Sequence, residues 1–155
     1  MATVQRFEDL LCWQKARLLT KEVYQSMKDA RDHGYTDQIQ RASVSVMSNI
    51  AEGFERGTKQ EFLNYLYIAK GSAGEVRAQL YAGLDVGYLN IETFKYLKGL
   101  AEECSRLVNS FIEKLKIGGR MGLQNKLAEK PDVVAEILRA QGLYYKDGKM
   151  HKIGE

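Results

Sequence analysis

Proline is almost missing from this chain: the only one is Pro131. Nothing before it removes a backbone N–H from a helical ladder, so long uninterrupted helices are allowed. Cysteine occurs only as Cys12 and Cys104, with no CxxC spacing. This argues against a zinc ribbon or a disulfide-stapled fold, and both positions read as buried free thiols in helices. Histidine occurs only as His33 and His151. A di-iron bundle needs Glu-x-x-His on two helices, but Ala30 and Gly148 stand at that spacing. His33 reads as an exposed loop residue and His151 belongs to the tail, so a nucleophile–histidine pair has no material. Neither a GxSxG elbow nor a G-x-x-x-x-G-K loop is present. No metal, cofactor or catalytic residue is expected. No run of 18 uncharged apolar residues exists, so no membrane contact is expected. The start, MATVQRFEDLL, lacks a basic segment followed by an apolar one, and the expected location is cytoplasmic.

Charge of one sign is scarce too. The 155 residues carry 23 basic and 20 acidic side chains, a net +3, with an ordinary 45% apolar content. Residues 1–57 are balanced, and 118–155 hold the largest basic excess, though a small one.

What is present is dominated by residues 38–57, QIQRASVSVMSNIAEGFERG. At 100° per residue, Ile39, Ala42, Ser43, Val46, Ile50, Gly53 and Phe54 fall together, with Val44, Met47 and Ala51 beside them. That apolar arc spans about 200°, twice the roughly 100° a surface helix needs. The helix must therefore be covered on two sides, at the middle of a bundle or in a subunit contact.

Three other helical stripes flank it. The first helix is expected over 9–32, capped by Asp9, with Cys12, Ala16, Leu19, Val23 and Met27 inward and Leu10, Trp13 and Tyr24 widening the stripe. Gly34 ends it or sits in the next turn, and Thr36 or Asp37 caps the second helix. Thr58 followed by Glu61 is a capping box for the third, which turns Phe62, Leu66, Ala69, Ala73, Val76, Leu80 and Leu84 to one face. Gly71, Gly74, Gly83 and Gly87 inside it suggest close approach of another helix. Asn90 caps the fourth, whose seam is Phe94, Leu97, Ala101, Cys104, Val108, Phe111 and Leu115. Short connections make these an all-α, antiparallel up-down-up-down four-helix bundle over 1–117. Residues 118–155 form a C-terminal extension: a short helix over 131–142, then a β-hairpin over 142–153 with Asp147-Gly148 in a type I′ turn.

Several motifs occur in a familiar order. Phe7-Glu8-Asp9-Leu10 and Trp13-Gln14-Lys15-Ala16 come first. Gln38-x-x-Arg41-Ala42 and Ser45-x-x-Ser48-Asn49-Ile50-Ala51-Glu52-Gly53 follow, then Ile68-Ala69-Lys70-Gly71-Ser72 with Glu75. Over 7–116 the chain resembles the small four-helix-bundle family encoded in intervening sequences of bacterial 23S rRNA genes. That family is related to the accessory variability determinant proteins of diversity-generating retroelements. Met47 stands where the family usually has proline, so the second helix should be less kinked there. Everything after Lys116 lies outside the family's usual extent. The resemblance implies a ring, often pentameric, of four-helix subunits; in the retroelement relatives the ring supports a reverse transcriptase and its RNA through a basic surface.

Chemistry-bearing candidates are few. Glu52 and Glu75 could form a carboxylate pair, but each is better read as bound to a cation or hydroxyl at a helix or subunit contact. Asn49 and Ser48 read as polar registration. Arg41, Val44, Met47, Asn49, Ala51, Glu52, Gly71 and Glu75 are the expected oligomer or helix contacts. Lys146, Lys149, Lys152, Tyr144 and Arg120 are the candidates for binding RNA or DNA, since basic residues beside an aromatic suit phosphate and base. Leu143, Tyr145 and Met150 would dock the hairpin. The expected function is a non-enzymatic homo-oligomeric module for RNA, DNA or a nucleoprotein partner such as a reverse transcriptase. The alternative is a protein-interaction module without nucleic acid, which the near-neutral charge favours.

Overall fold

The computed structural model describes residues 4–117, 143–146, 149–152 and 154. One 3-10 turn, Phe7–Asp9, precedes four helices: α1 (Leu11–Ser26), α2 (His33–Glu55), α3 (Lys59–Asp85) and α4 (Ile91–Lys116). Each helix packs on the next, and α4 closes the ring against α1, while the diagonal pairs do not meet. The connections, 27–32, 56–58 and 86–90, are too short for anything but antiparallel neighbours. The expected up-down-up-down bundle is the observed fold.

The inward stripes meet in one core. On α2 the buried set is Ile39, Ala42, Ser43, Val46, Ile50, Gly53 and Phe54, the arc read from the 3.6-residue period. All seven seam positions of α4 are buried as well. Phe54, Phe62 and Phe111 carry this core across three helices, edge to face at 5.8 and 5.2 Å. Both cysteines are buried and free, and burial pushes each thiol up to about 12.

The helix ends differ from expectation at α1 and α2. Asp9 lies in the 3-10 turn, and Leu10, extended and without a side-chain cap, starts α1. That helix stops at Ser26, because Lys28 and Ala30 turn back three residues onto Gln25 and Met27. Asp32, rather than Thr36 or Asp37, caps α2 by accepting from Tyr35 N–H at 3.0 Å, so Gly34 lies within the first turn. The Asp32 carboxylate also accepts from the Tyr88 hydroxyl at 2.8 Å, which ties the α1–α2 loop to the α3–α4 loop. Tyr35 N–H first and Tyr88 second hold its carboxyl below the usual range.

Thr58 and Asn90 cap as expected, accepting from Glu61 and Thr93 N–H. Glu61 returns its carboxylate to the Thr58 hydroxyl at 2.6 Å, so the box closes through side chains. Gly87 lies past α3, with φ +81, and completes its C-terminal hydrogen bonds: Tyr88 N–H to Gly83 and Gly87 N–H to Leu84.

Beyond the bundle, β1 (Leu143–Lys146) and β2 (Lys149–Lys152) pair antiparallel, with Tyr144 opposite His151 and Tyr145 opposite Met150 as expected. Lys152 stands opposite Leu143. The 131–142 helix, the Asp147-Gly148 turn and Arg120 lie outside the described residues.

Candidate functional site

The α2–α3 seam holds most of the residues singled out from the sequence, and its polar ones bind each other. Ser45 and Ser72 hydroxyls meet at 2.8 Å across the two helices, and Asn49 donates to the Ser45 carbonyl and hydroxyl at 2.8 and 2.9 Å. The Ser45–Ser72 contact joins the two helices, whereas both Asn49 bonds stay within α2; Ser48 is exposed and takes no part.

About two turns beyond Ser45, Glu52 accepts from Arg56 at 2.8 Å and from the Tyr65 hydroxyl at 3.0 Å, while Arg56 also donates to that hydroxyl at 2.9 Å. Arg56 first and Tyr65 second hold the Glu52 carboxyl low. Glu75 takes only a long 3.4 Å contact from Gln79. It sits ten residues beyond Tyr65, about 15 Å along the helix axis. The two carboxylates therefore do not form an acid–base pair. Arg41 is exposed and paired with Asp37 at 2.8 Å, not with Glu52.

The apolar members look outward. Val44, Met47 and Ala51 are only half-buried, and Ile68 is 51% exposed. A Cβ at Gly71 or Gly74 would meet nothing within 4 Å. The close helix approaches within the subunit occur instead at Gly53, where a Cβ would lie 2.6 Å from that of Tyr65, and at Gly83, against the Tyr35 ring. Gly71 and Gly74 were expected to admit a neighbouring helix, and none of this bundle's helices fills that space.

Of the tail candidates, Tyr144, Lys146, Lys149 and Lys152 stand on the hairpin, and Lys152 is exposed. A groove of about 390 Å³ between α1 and α4 is lined by Leu11, Gln14, Lys15, Leu18, Glu103 and Leu107, with Lys15 and Glu103 paired at 3.3 Å. Among the described residues no group of three or more His, Cys, Asp or Glu could hold a metal, and no helix is long and apolar enough to cross a membrane. Sequence reasoning missed the Tyr65 and Arg56 partners of Glu52. Arg56 was legible at i+4; Tyr65 depended on the α2–α3 alignment.

These features define a four-helix bundle with a finished core and a partly apolar outer seam. The profile of the 23S rRNA-intervening sequence proteins matches residues 8–110, and the chain belongs to that family. A protein with unknown function from the S23 ribosomal protein family of Bacteroides thetaiotaomicron VPI-5482, whose crystal structure is known at 1.70 Å, shares the fold. It is 21% identical, with a TM-score of 0.63 over 66% of this chain and 99% of that one. No curated protein matches the chain.

Proposed function

We propose that this protein is a non-catalytic module that assembles with itself through the outer α2–α3 face and binds RNA or DNA within a nucleoprotein complex. The observation that supports assembly is the partly apolar α2–α3 edge. Ile68 is 51% exposed, space stands open over Gly71, and Val44, Met47 and Ala51 are half-buried, although the core behind them is complete. A surface of small and apolar residues beside a satisfied polar ladder suits another helix. A five-membered ring is the arrangement the family resemblance implies. Such a ring would repeat each subunit's weak basic surface and sum it into a larger field. A reverse transcriptase with its RNA is one partner of this kind. The balanced charge of the bundle supports the second reading, protein interaction without nucleic acid.

The test compares the full chain with one ending at residue 141 for RNA binding at two salt concentrations. Retention that weakens as salt rises supports the proposal. No retention of RNA or DNA at low salt leaves the protein-interaction reading. Equal affinity and equal salt slope in both chains would remove the hairpin lysines from any binding role.

A further inference from the structure

Over residues 61–77 the charges of α3 are segregated by side; Asp85, at the helix end, is the acid that falls on the α4 side. At 100° per residue, Lys70 and Arg77 fall toward α4, while Glu61 and Glu75 fall toward α2. The facing edge of α4 brings Lys98 and Lys116, with Arg106 just outside them. Cross-helix contacts confirm the alignment. Lys70 donates to Asn109 Oδ1 at 2.7 Å, the Lys116 ammonium lies 5.5 Å from the centre of the Tyr67 ring, and Tyr81 meets Phe94 edge to face at 5.0 Å.

The acids of this seam are already engaged: Glu102 pairs with Lys98 at 2.7 Å and Glu113 with Lys116 at 3.6 Å. Among the described residues, Lys70, Arg77 and Arg106 make no direct ion pair, although Arg77 and Arg106 lie near enough to Glu102 to help Lys98 hold its carboxyl low. Arg77 Nε is enclosed without a hydrogen-bond acceptor. The other three seams differ: α2–α3 carries the small residues and carboxylates described above, α4–α1 the Leu11–Leu107 groove, and α1–α2 the hydrogen bond from Thr20 to the Ser43 carbonyl. Tyr67 and Tyr81, 46% and 49% exposed, stand near the two ends of the cationic stretch. Fourteen residues separate them, about 21 Å along α3.

We infer that the outer α3–α4 seam is a track for the backbone of a single-stranded nucleic acid, with Lys70, Arg77 and Arg106 meeting phosphates and Tyr67 and Tyr81 offering ring faces to unstacked bases. This rests on the nucleic-acid reading above and assigns its contact to the bundle rather than to the hairpin. A strand needs both a line of excess cations and flat aromatic surface, and this seam supplies the two together. A duplex keeps its base faces stacked inside and would leave the tyrosines unused.

The experiment measures fluorescence anisotropy of labelled single-stranded oligonucleotides, U12 and dT12, with the full chain from 50 to 200 mM salt. The variants are Arg77→Gln/Arg106→Gln, Arg106→Gln alone, Tyr81→Leu, and the charge-matched control Lys21→Gln/Lys28→Gln, on α1 and in the turn after it. The double seam variant should lose about tenfold in affinity at 50 mM and flatten the salt slope by about 1.4, from 0.7 per phosphate contact. Arg106 is exposed, so its single variant keeps the fold and should lose about half that slope. Tyr81→Leu should weaken single-strand binding without changing the slope, and the control should stay within twofold of wild type. Wild-type binding that the seam variants leave equal to the control would overturn the seam and spare the general reading. A wild type that binds neither oligonucleotide would overturn both. Equal affinity for a 12-base-pair duplex, or equal competition by heparin, would overturn the single-strand assignment.

Discussion

Replacing Phe111 by alanine tests the core at its edge. The ring is 7% exposed and meets Phe62 edge to face at 5.2 Å, and Phe62 in turn meets Phe54 at 5.8 Å. Truncation removes buried apolar surface worth about 1.5–3 kcal/mol and an aromatic pair worth about 0.5–1.5 kcal/mol. It also leaves a cavity that three rigid helices cannot close, so the expected loss is about 3–5 kcal/mol. With a urea slope near 2 kcal/mol/M, the midpoint should fall by about 2 M. Phe111→Leu keeps most of the volume and should cost less than about 1.5 kcal/mol. Melts must be run at one protein concentration, because the proposed self-assembly would add a concentration-dependent contribution to stability. A loss under about 1 kcal/mol for Phe111→Ala would mean that the ring does not anchor the α3–α4 contact.

Gly71→Ala should stabilise the subunit by up to about 1 kcal/mol, since nothing lies within 4 Å of the new methyl. Gly53→Ala should instead destabilise it, because the methyl meets Tyr65 Cβ at 2.6 Å; thermal melts that give both variants the same sign would refute the helix spacing. The Cys12 and Cys104 thiols, pushed up to about 12 by burial, should resist a thiol reagent at pH 8 and both react in denaturant; reaction of both within mixing time in the native state would contradict their burial. Asp32 and Glu52 have folded pKa values below their unfolded ones. Their contribution to stability is therefore present above the ordinary carboxylate range and lost as pH falls through the lowered values. Tyr88→Phe should move the Asp32 titration, followed by NMR, upward; no movement would break the link between the two loops.

The core was legible because four stripes kept one helical period over long stretches, and the lack of proline left none of them broken. The seven central residues of the α2 arc are its buried set, while Val44, Met47 and Ala51 at the arc's edge stay half-buried. Helix ends were legible where a side chain caps in the usual way, at Thr58 and Asn90. They were not where tertiary contacts decide: Asp32 caps α2 while a tyrosine from the opposite loop holds it. Glycines misled for the same reason. Gly53 and Gly83 admit close neighbours, whereas Gly71 and Gly74 face open space, and sequence spacing cannot tell which side of a helix is already covered. The seam between α3 and α4 was illegible because its cations come from two helices running in opposite directions. Their company depends on an alignment fixed by contacts such as Lys70–Asn109 and Tyr81–Phe94.

Self-assembly through the α2–α3 face is the central claim, and light scattering on the full chain at micromolar concentration tests it most directly. The account predicts one discrete species several times the 17.6 kDa of the chain, five times for the ring. It also predicts that Ile68→Glu reduces this species to a single chain with its helical signal intact. A wild-type protein that scatters as one chain would contradict the account.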